Sequence, residues 1–265
     1  MSCVVLEKKG HLATLTLNRP DNMNALGNLS DGDDFVAACS EINGDSNIRC
    51  AVLTGSGRAF SAGGDLKAMR DKSAAFTGNA AEIRQGYKKG IHLIIKSLWN
   101  IEVPMVGAVN GHAIGLGNDI ATTADIRIAS EDAKFGATFL SIGLIPGDGG
   151  AWLLPRAIGR SRASQLFFTG ELIDAQTALE WGLVSEVCAA DQVMERSLQM
   201  AEKIMAQPPL PLRMTKQMMR QADGATLDSI LEIACGMQAI LHGTEDHSAA
   251  VNAMLNKEKA VYKGE

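Results

Sequence analysis

Twice between residues 50 and 124 the chain repeats one order of events: a short apolar, β-branched run, a glycine-rich loop, then a helical stretch. CAVLT (Cys50–Thr54) leads into GSGRAFSAGGD and a helix beginning near Leu66. PMVGAVN (Pro104–Asn110) leads into GHAIGLGN and a short helical stretch over Asp119–Ala124, and a further strand segment, DIRIA (Asp125–Ala129), follows at once. Apolar runs bounded by glycine read as buried strands, and strand–loop–helix units in series predict an α/β fold with parallel or stacked strands. Ligands in such folds sit where loops leave the strands, so the two glycine loops are the first candidates for a site.

Upstream, Val4–Leu6 and the alternating LATLTL of Leu12–Leu17 predict two more strands, and Asp33–Asn43 predicts a helix. After about residue 174 the strand pattern largely stops. Asp174 is placed to cap a short helix, and Asp191 another that runs to Gln207 before Pro208 and Pro209. Thr226 and Thr244 head two more helices separated by Gly243. Ile230, Ile233, Ala234, Met237 and Leu241 recur there at helical spacing. The chain thus divides into a core over residues 1–190 and a helical region over 191–265, either a lid on the core or a self-association surface.

With 46% hydrophobic and 21% charged residues, 265 residues hold ample material for a core. A net charge of −5 without a dense Lys/Arg cluster argues against nucleic acid as a partner. Five cysteines, odd in number and without a CxxC pair, read as free thiols in a reducing compartment. MSCVVLEKKGH lacks a signal peptide's apolar stretch, and no apolar run reaches the length of a membrane span, so the expectation is a cytoplasmic protein. Other patterns fail on spacing. Gly115-Leu116-Gly117 lacks a third glycine, His242 and His247 are five apart, and Ser30–Asp34 has no calcium-loop register.

The loops FSAGGDL (Phe60–Leu66) and NGHAIGLGND (Asn110–Asp119) each precede a helix. Small residues there expose backbone N–H groups, and one N–H from each loop would make an oxyanion hole. Two tight turns needing glycine only for positive φ explain the same pattern, so spacing alone leaves both readings open.

Four segments in order then carry a resemblance: FSAGGDL, VPMVGAVNGHAIGLGNDIA, FGATFLSIGLIPGDGG and FTGELIDAQTALEWGLVSEV. Together with LNRPDNMNAL and PPLPLRMTK they resemble the crotonase (enoyl-CoA hydratase/isomerase) superfamily over nearly the whole chain. The resemblance implies a spiral of ββα repeats with a C-terminal helical region that helps form homotrimers, commonly paired into hexamers. It implies an acyl-CoA substrate, no metal and no cofactor beyond the coenzyme A of that substrate. By position, Ala62 and Leu116 would be the oxyanion N–H donors. Asn24, Ala25 and Leu26, with Ser61, Ala62, Gly63, Gly64, Asp65 and Leu66, would line the CoA site.

Hydratases of that superfamily use two glutamates. The first matches Asp119, one methylene shorter, and the second matches Phe139, which has no proton to exchange and reads as a pocket wall. Asp148, in the PGDG turn, is the remaining acid on that side. It is either a catalytic acid or the N-cap of a helix over Ala151–Ala157. Leu116 replaces a usually small residue and would reshape the acyl pocket, while His112 reads as structural. The expectation is an enoyl-CoA hydratase/isomerase-type enzyme in which Asp119 and Asp148 share the proton work, and one carboxylate suffices for double-bond isomerisation. Two alternatives stand beside it. A β-diketone or β-ketoacyl hydrolase shares the PGDG string but would need a histidine near the water, and none lies between Ala113 and Leu241. The other is a catalytically idle acyl-CoA-binding paralogue.

Overall fold

The computed structural model describes residues 2–265. Ten strands form two sheets. The strands are β1 (Val4–Lys9), β2 (Leu12–Leu17), β3 (Cys50–Gly55), β4 (Ala59–Ser61), β5 (Met105–Val109), β6 (His112–Ile114), β7 (Ile126–Ser130), β8 (Lys134–Gly136), β9 (Leu172–Asp174) and β10 (Glu186–Cys188). Through the core run α1 (Leu29–Gly44), α2 (Leu66–Arg70), α3 (Ala80–Lys89), α4 (Ile91–Trp99), α5 (Leu116–Thr122), α6 (Gly150–Ile158), α7 (Arg160–Thr169) and α8 (Ala175–Glu180). After β10 come only helices: α9 (Val193–Met205), α10 (Pro209–Ala222), α11 (Leu227–His242) and α12 (Glu245–Asn256).

The first sheet has the order β1-β2-β3-β5-β7-β10, parallel except for the β1–β2 hairpin at its edge. Every residue of β3 and of β5 is buried, as expected of parallel strands covered on both faces. The second sheet, β4-β6-β8-β9, is built from three-residue strands. Each repeat sends a long strand to the first sheet and the next short one to the second: β3 then β4, β5 then β6, β7 then β8. The glycine loops leave from β4 and β6, which are parallel neighbours paired Ala59 to His112 and Ser61 to Ala113. That pairing brings together loops fifty residues apart in sequence.

Hairpin strand β2 alternates in burial as its period-two pattern predicts, and Asp174 accepts from the Thr177 N–H at the start of α8. Asp191 does not cap α9. It lies in a single helical turn, and Gln192 precedes the helix without a side-chain bond. The acidic Ser30–Asp34 stretch is the first turn of α1, where buried Asp31 pairs with Arg19 and accepts the Gly27 and Asn28 N–H groups. Thr226 and Thr244 cap α11 and α12.

The tail meets the core differently along its length. Helix α9 packs Val193 and Ala201 against Cys50, Val52, Val106 and Ile128 of the first sheet. Helix α10 plants Lys216 on the Val103 carbonyl (2.7 Å) and on Asp125 (2.6 Å), whose carboxylate also accepts the Met105 N–H. Burial lowers the Lys216 pKa to about 8. By contrast α11 buries no residue and leaves Leu227, Leu231 and Ile240 exposed; Met254 and Leu255 of α12 are more exposed still. Among the described residues no helix is long and apolar enough to cross a membrane.

Candidate active site

Past the paired residues Ser61 and Ala113 the two loops stay in contact, and a Cβ on Gly117 would stand 2.2 Å from the Ser61 oxygen. Gly63 passes against the partner loop with no room for a side chain. Its φ is +92°, and a Cβ there would stand 2.4 Å from the Ile114 oxygen and 3.2 Å from the Leu116 nitrogen. Gly115, at φ +55°, turns the chain into α5. Leu116 is the first residue of that helix, so its N–H has no preceding turn to donate to.

Ala62, the expected second donor, has its N–H turned to the protein itself. Its N–H is spent on the Met23 carbonyl at 2.8 Å, whereas among the described residues the Gly64 N–H has no acceptor. The N–H groups left without an acceptor where the two loops meet are those of Gly64 and Leu116.

Most of the expected CoA-lining residues instead hold this loop in place. Buried Asn24 donates to the Ser56, Ala59 and Phe60 carbonyls, and buried Ser61 donates to the Asn24 carbonyl while accepting the Gly63 N–H. Those two side chains are spent on hydrogen bonds inside the protein. Leu26 and Ala25 are also buried; the Leu26 N–H binds the Gly63 carbonyl, and its own carbonyl accepts the Asp65 N–H. Asp65 caps α2, and Leu66 beside it is exposed. Exposed His112 lies away from these groups, its Nδ1 accepting the Lys134 N–H.

Phe139 is buried, and a Cβ on Gly115 would lie 3.9 Å from its ring. It forms an apolar wall beside the Leu116 donor. The two acids differ. Asp119, one turn after Leu116, is wholly enclosed; its Oδ2 accepts the Gly150 N–H at 2.9 Å and its Oδ1 has no partner. Burial, and then the charge of Asp148, pushes its carboxyl well above the usual carboxylate range. Asp119, expected to share the proton work, thus has no exposed surface in this structure.

Asp148 does not cap the following helix. Helix α6 begins at Gly150 behind Gly149 (φ +109°), with no side-chain cap, and the acid that takes the Gly150 N–H is Asp119. Asp148 keeps 7% exposure, and burial raises its pKa from 3.8 to about 7. Tyr87 of α3 lies within its field, and His92 of α4 meets the Gly147 carbonyl at 3.0 Å. Sequence reasoning missed Tyr87 and His92. They sit on helices more than fifty residues before the turn, and only the packing of α4 on that turn reveals them.

A cleft of about 720 Å³ lies between α5, α6 and α10 and is lined by Trp99, Trp152, Lys216 and Arg220. It contains none of Gly64, Leu116, Phe139 or Asp148, so it is not this site. Among the described residues no cluster of His, Cys, Asp or Glu is arranged to hold a metal; His242 and His247 only meet each other.

Comparison with known proteins agrees with this architecture. The chain is 35% identical to 1,2-epoxyphenylacetyl-CoA isomerase of Escherichia coli over 95% of its length and 94% of the relative's. It is 34% identical to E. coli 2,3-dehydroadipyl-CoA hydratase over the whole of both chains. The crystal structure of enoyl-CoA hydratase from Bacillus anthracis superposes with a TM-score of 0.92 at 31% identity, covering all of both chains. These relatives favour neither the carbon–carbon hydrolase nor the idle paralogue. The sequence profile of the enoyl-CoA hydratase/isomerase family matches residues 7–265, and the chain belongs to that family, as an enzyme of the hydratase/isomerase type acting on acyl-CoA thioesters.

Proposed function

We propose that the enzyme shifts a carbon–carbon double bond in an unsaturated acyl-CoA, with Asp148 as the proton carrier. The Gly64 and Leu116 N–H groups receive the thioester oxygen, and Phe139 walls the acyl group. Removal of a proton beside the thioester puts negative charge on that oxygen, where two fixed N–H donors stabilise it. Asp148 takes this proton and returns it two carbons along the chain. A carboxyl with a pKa of about 7 is present in both forms near neutral pH, which suits a group that must accept and then donate.

The observation that carries this reading is the pairing of one wholly enclosed acid with one that keeps 7% exposure, where a hydratase of this family would place two glutamates. Hydration needs a water activated on one side and a proton delivered on the other, and Phe139 offers neither. Coenzyme A enters only as part of the substrate. The bare apolar faces of α11 and α12 support self-association through residues 191–265, as homotrimers or pairs of trimers. Five free thiols fit a cytoplasmic location.

The test follows the conjugated thioester chromophore with 2-enoyl-CoA and 3-enoyl-CoA. Appearance of the chromophore from the 3-enoyl substrate is expected; its loss from the 2-enoyl substrate, without isomerisation, would assign hydration instead. Asp148→Asn should lower turnover by about a hundredfold or more. Wild-type turnover in that variant would remove Asp148 from the mechanism.

A further inference from the structure

Four residues carry the acid turn between two helices. Gly147, Asp148, Gly149 and Gly150 make up this segment, and its last two residues pass α4 and α5 too closely for a side chain to enter freely. A Cβ on Gly149 would stand 3.1 Å from Ile95 of α4, and one on Gly150 would stand 2.3 Å from the Asp119 carboxylate of α5. Both ends of this segment are pinned by side chains. The Gly150 N–H donates to Asp119 Oδ2 at 2.9 Å, and the Gly147 carbonyl, which begins the peptide bond to Asp148, lies 3.0 Å from His92 Nε2.

A carbonyl oxygen only accepts, so His92 must carry its proton on Nε2 and donate. Its ring is held in turn by aromatic contacts. Tyr87 meets His92 edge-on at 6.1 Å, and Phe76 meets Tyr87 edge-on at 6.0 Å. His92 is half-buried on the polar edge of a helix whose other contacts, Ile91, Ile94, Ile95 and Leu98, are core residues. Packing alone would be served by another apolar side chain at that position.

We propose that His92 and Asp119 form a two-point clamp that aims the Asp148 carboxylate, and that His92 is a positioning residue which exchanges no proton with the substrate. This rests on Asp148 being the proton carrier. The clamp matters because Asp148 receives no hydrogen bond from the chain among the described residues, so only its backbone fixes where its oxygens stand. A displacement of about 1 Å at a reacting group costs on the order of a hundredfold in rate. The titratable groups facing Asp148 are Asp119 from α5, Tyr87 from α3 and His92 from α4.

The experiment compares His92→Ala, His92→Phe and His92→Gln with Asp148→Asn, measuring kcat, KM and the pH profile on 3-enoyl-CoA. Loss of the donor in the Ala and Phe variants should lower kcat by about 10- to 50-fold with KM within about threefold. The Gln amide reaches the same carbonyl, so it should restore kcat to within about threefold of wild type with the pH profile unchanged. Equal damage in Gln and Ala, or loss of one limb of the pH profile in Gln, would mean that His92 transfers a proton, and the clamp is overturned. Wild-type kcat in Ala and Phe overturns it as well, while a dead Asp148→Asn beside them leaves the role of Asp148 intact. The Phe variant keeps ring volume, and a circular dichroism melt on each variant separates misfolding from misplacement.

Discussion

The first turn of α5 and the turn before α6 each carry one aspartate, and they are built for opposite purposes. Asp119 grows from a helix that is buried throughout; Asp148 hangs from a turn whose neighbours are glycines. The helix acid is sealed and has one oxygen committed to Gly150, while the turn acid has no partner in the chain and keeps a small window to the outside. Both carboxyls are raised by burial, yet only Asp148 keeps any exposed surface. Perturbed acidity alone therefore does not tell the two acids apart.

The largest break in this contrast is Asp148→Asn, already assigned a loss of about a hundredfold or more. Next comes Gly150→Ala. Its methyl group would collide with both oxygens of Asp119, forcing the turn and the helix apart, and a kcat loss of about 10- to 100-fold is expected. A Gly150→Ala variant with unaltered kcat would show that the turn tolerates displacement. Asp119→Asn keeps an oxygen for the Gly150 N–H, so it should lose at least tenfold less turnover than Asp148→Asn. Equal losses in the two variants would make the sealed acid a second proton carrier.

The smallest effect is on stability. Asp148 titrates near 3.8 when unfolded and at about 7 when folded, so the folded form holds more protons between those values. Stability tied to this group is therefore greatest below pH 4 and falls as pH rises to about 7, because the charged form is the one that burial penalises. Asp148→Asn should raise the Tm by several degrees at pH 8 relative to wild type and by much less at pH 4. A difference that does not change with pH would mean that Asp148 is not the group sensing burial.

Much of the fold was legible because its signals are local. The alternation in LATLTL, the uniform burial of CAVLT and the caps at Asp174, Thr226 and Thr244 each depend on a few adjacent residues. Asp191 failed as a cap because a single helical turn over Ala190–Gln192 intervenes before α9, and acidic residues fit such turns as readily as caps. The site was half legible. Glycine spacing located both loops, and the resemblance added Leu116, but that the Ala62 N–H is spent on Met23 while the Gly64 N–H is free among the described residues required the fold. His92 was beyond reach, since nothing in GIHLIIKSLW distinguishes a histidine that grips a distant carbonyl from one that faces water. Contacts between elements distant in sequence leave no periodic trace.

Lys216 ties the tail to the core at a telling place. It reaches from α10 to the Val103 carbonyl and to Asp125, and Asp125 holds the first N–H of β5, the strand that leads to the second glycine loop. Without the tail, Asp125 would keep a half-buried charge with its principal counter-charge removed, next to the strand that positions Leu116. The two portions of the chain are thus not interchangeable cassettes. In a chimaera between relatives, the lysine and the aspartate must travel as one inherited unit for the loop far from the junction to keep its shape.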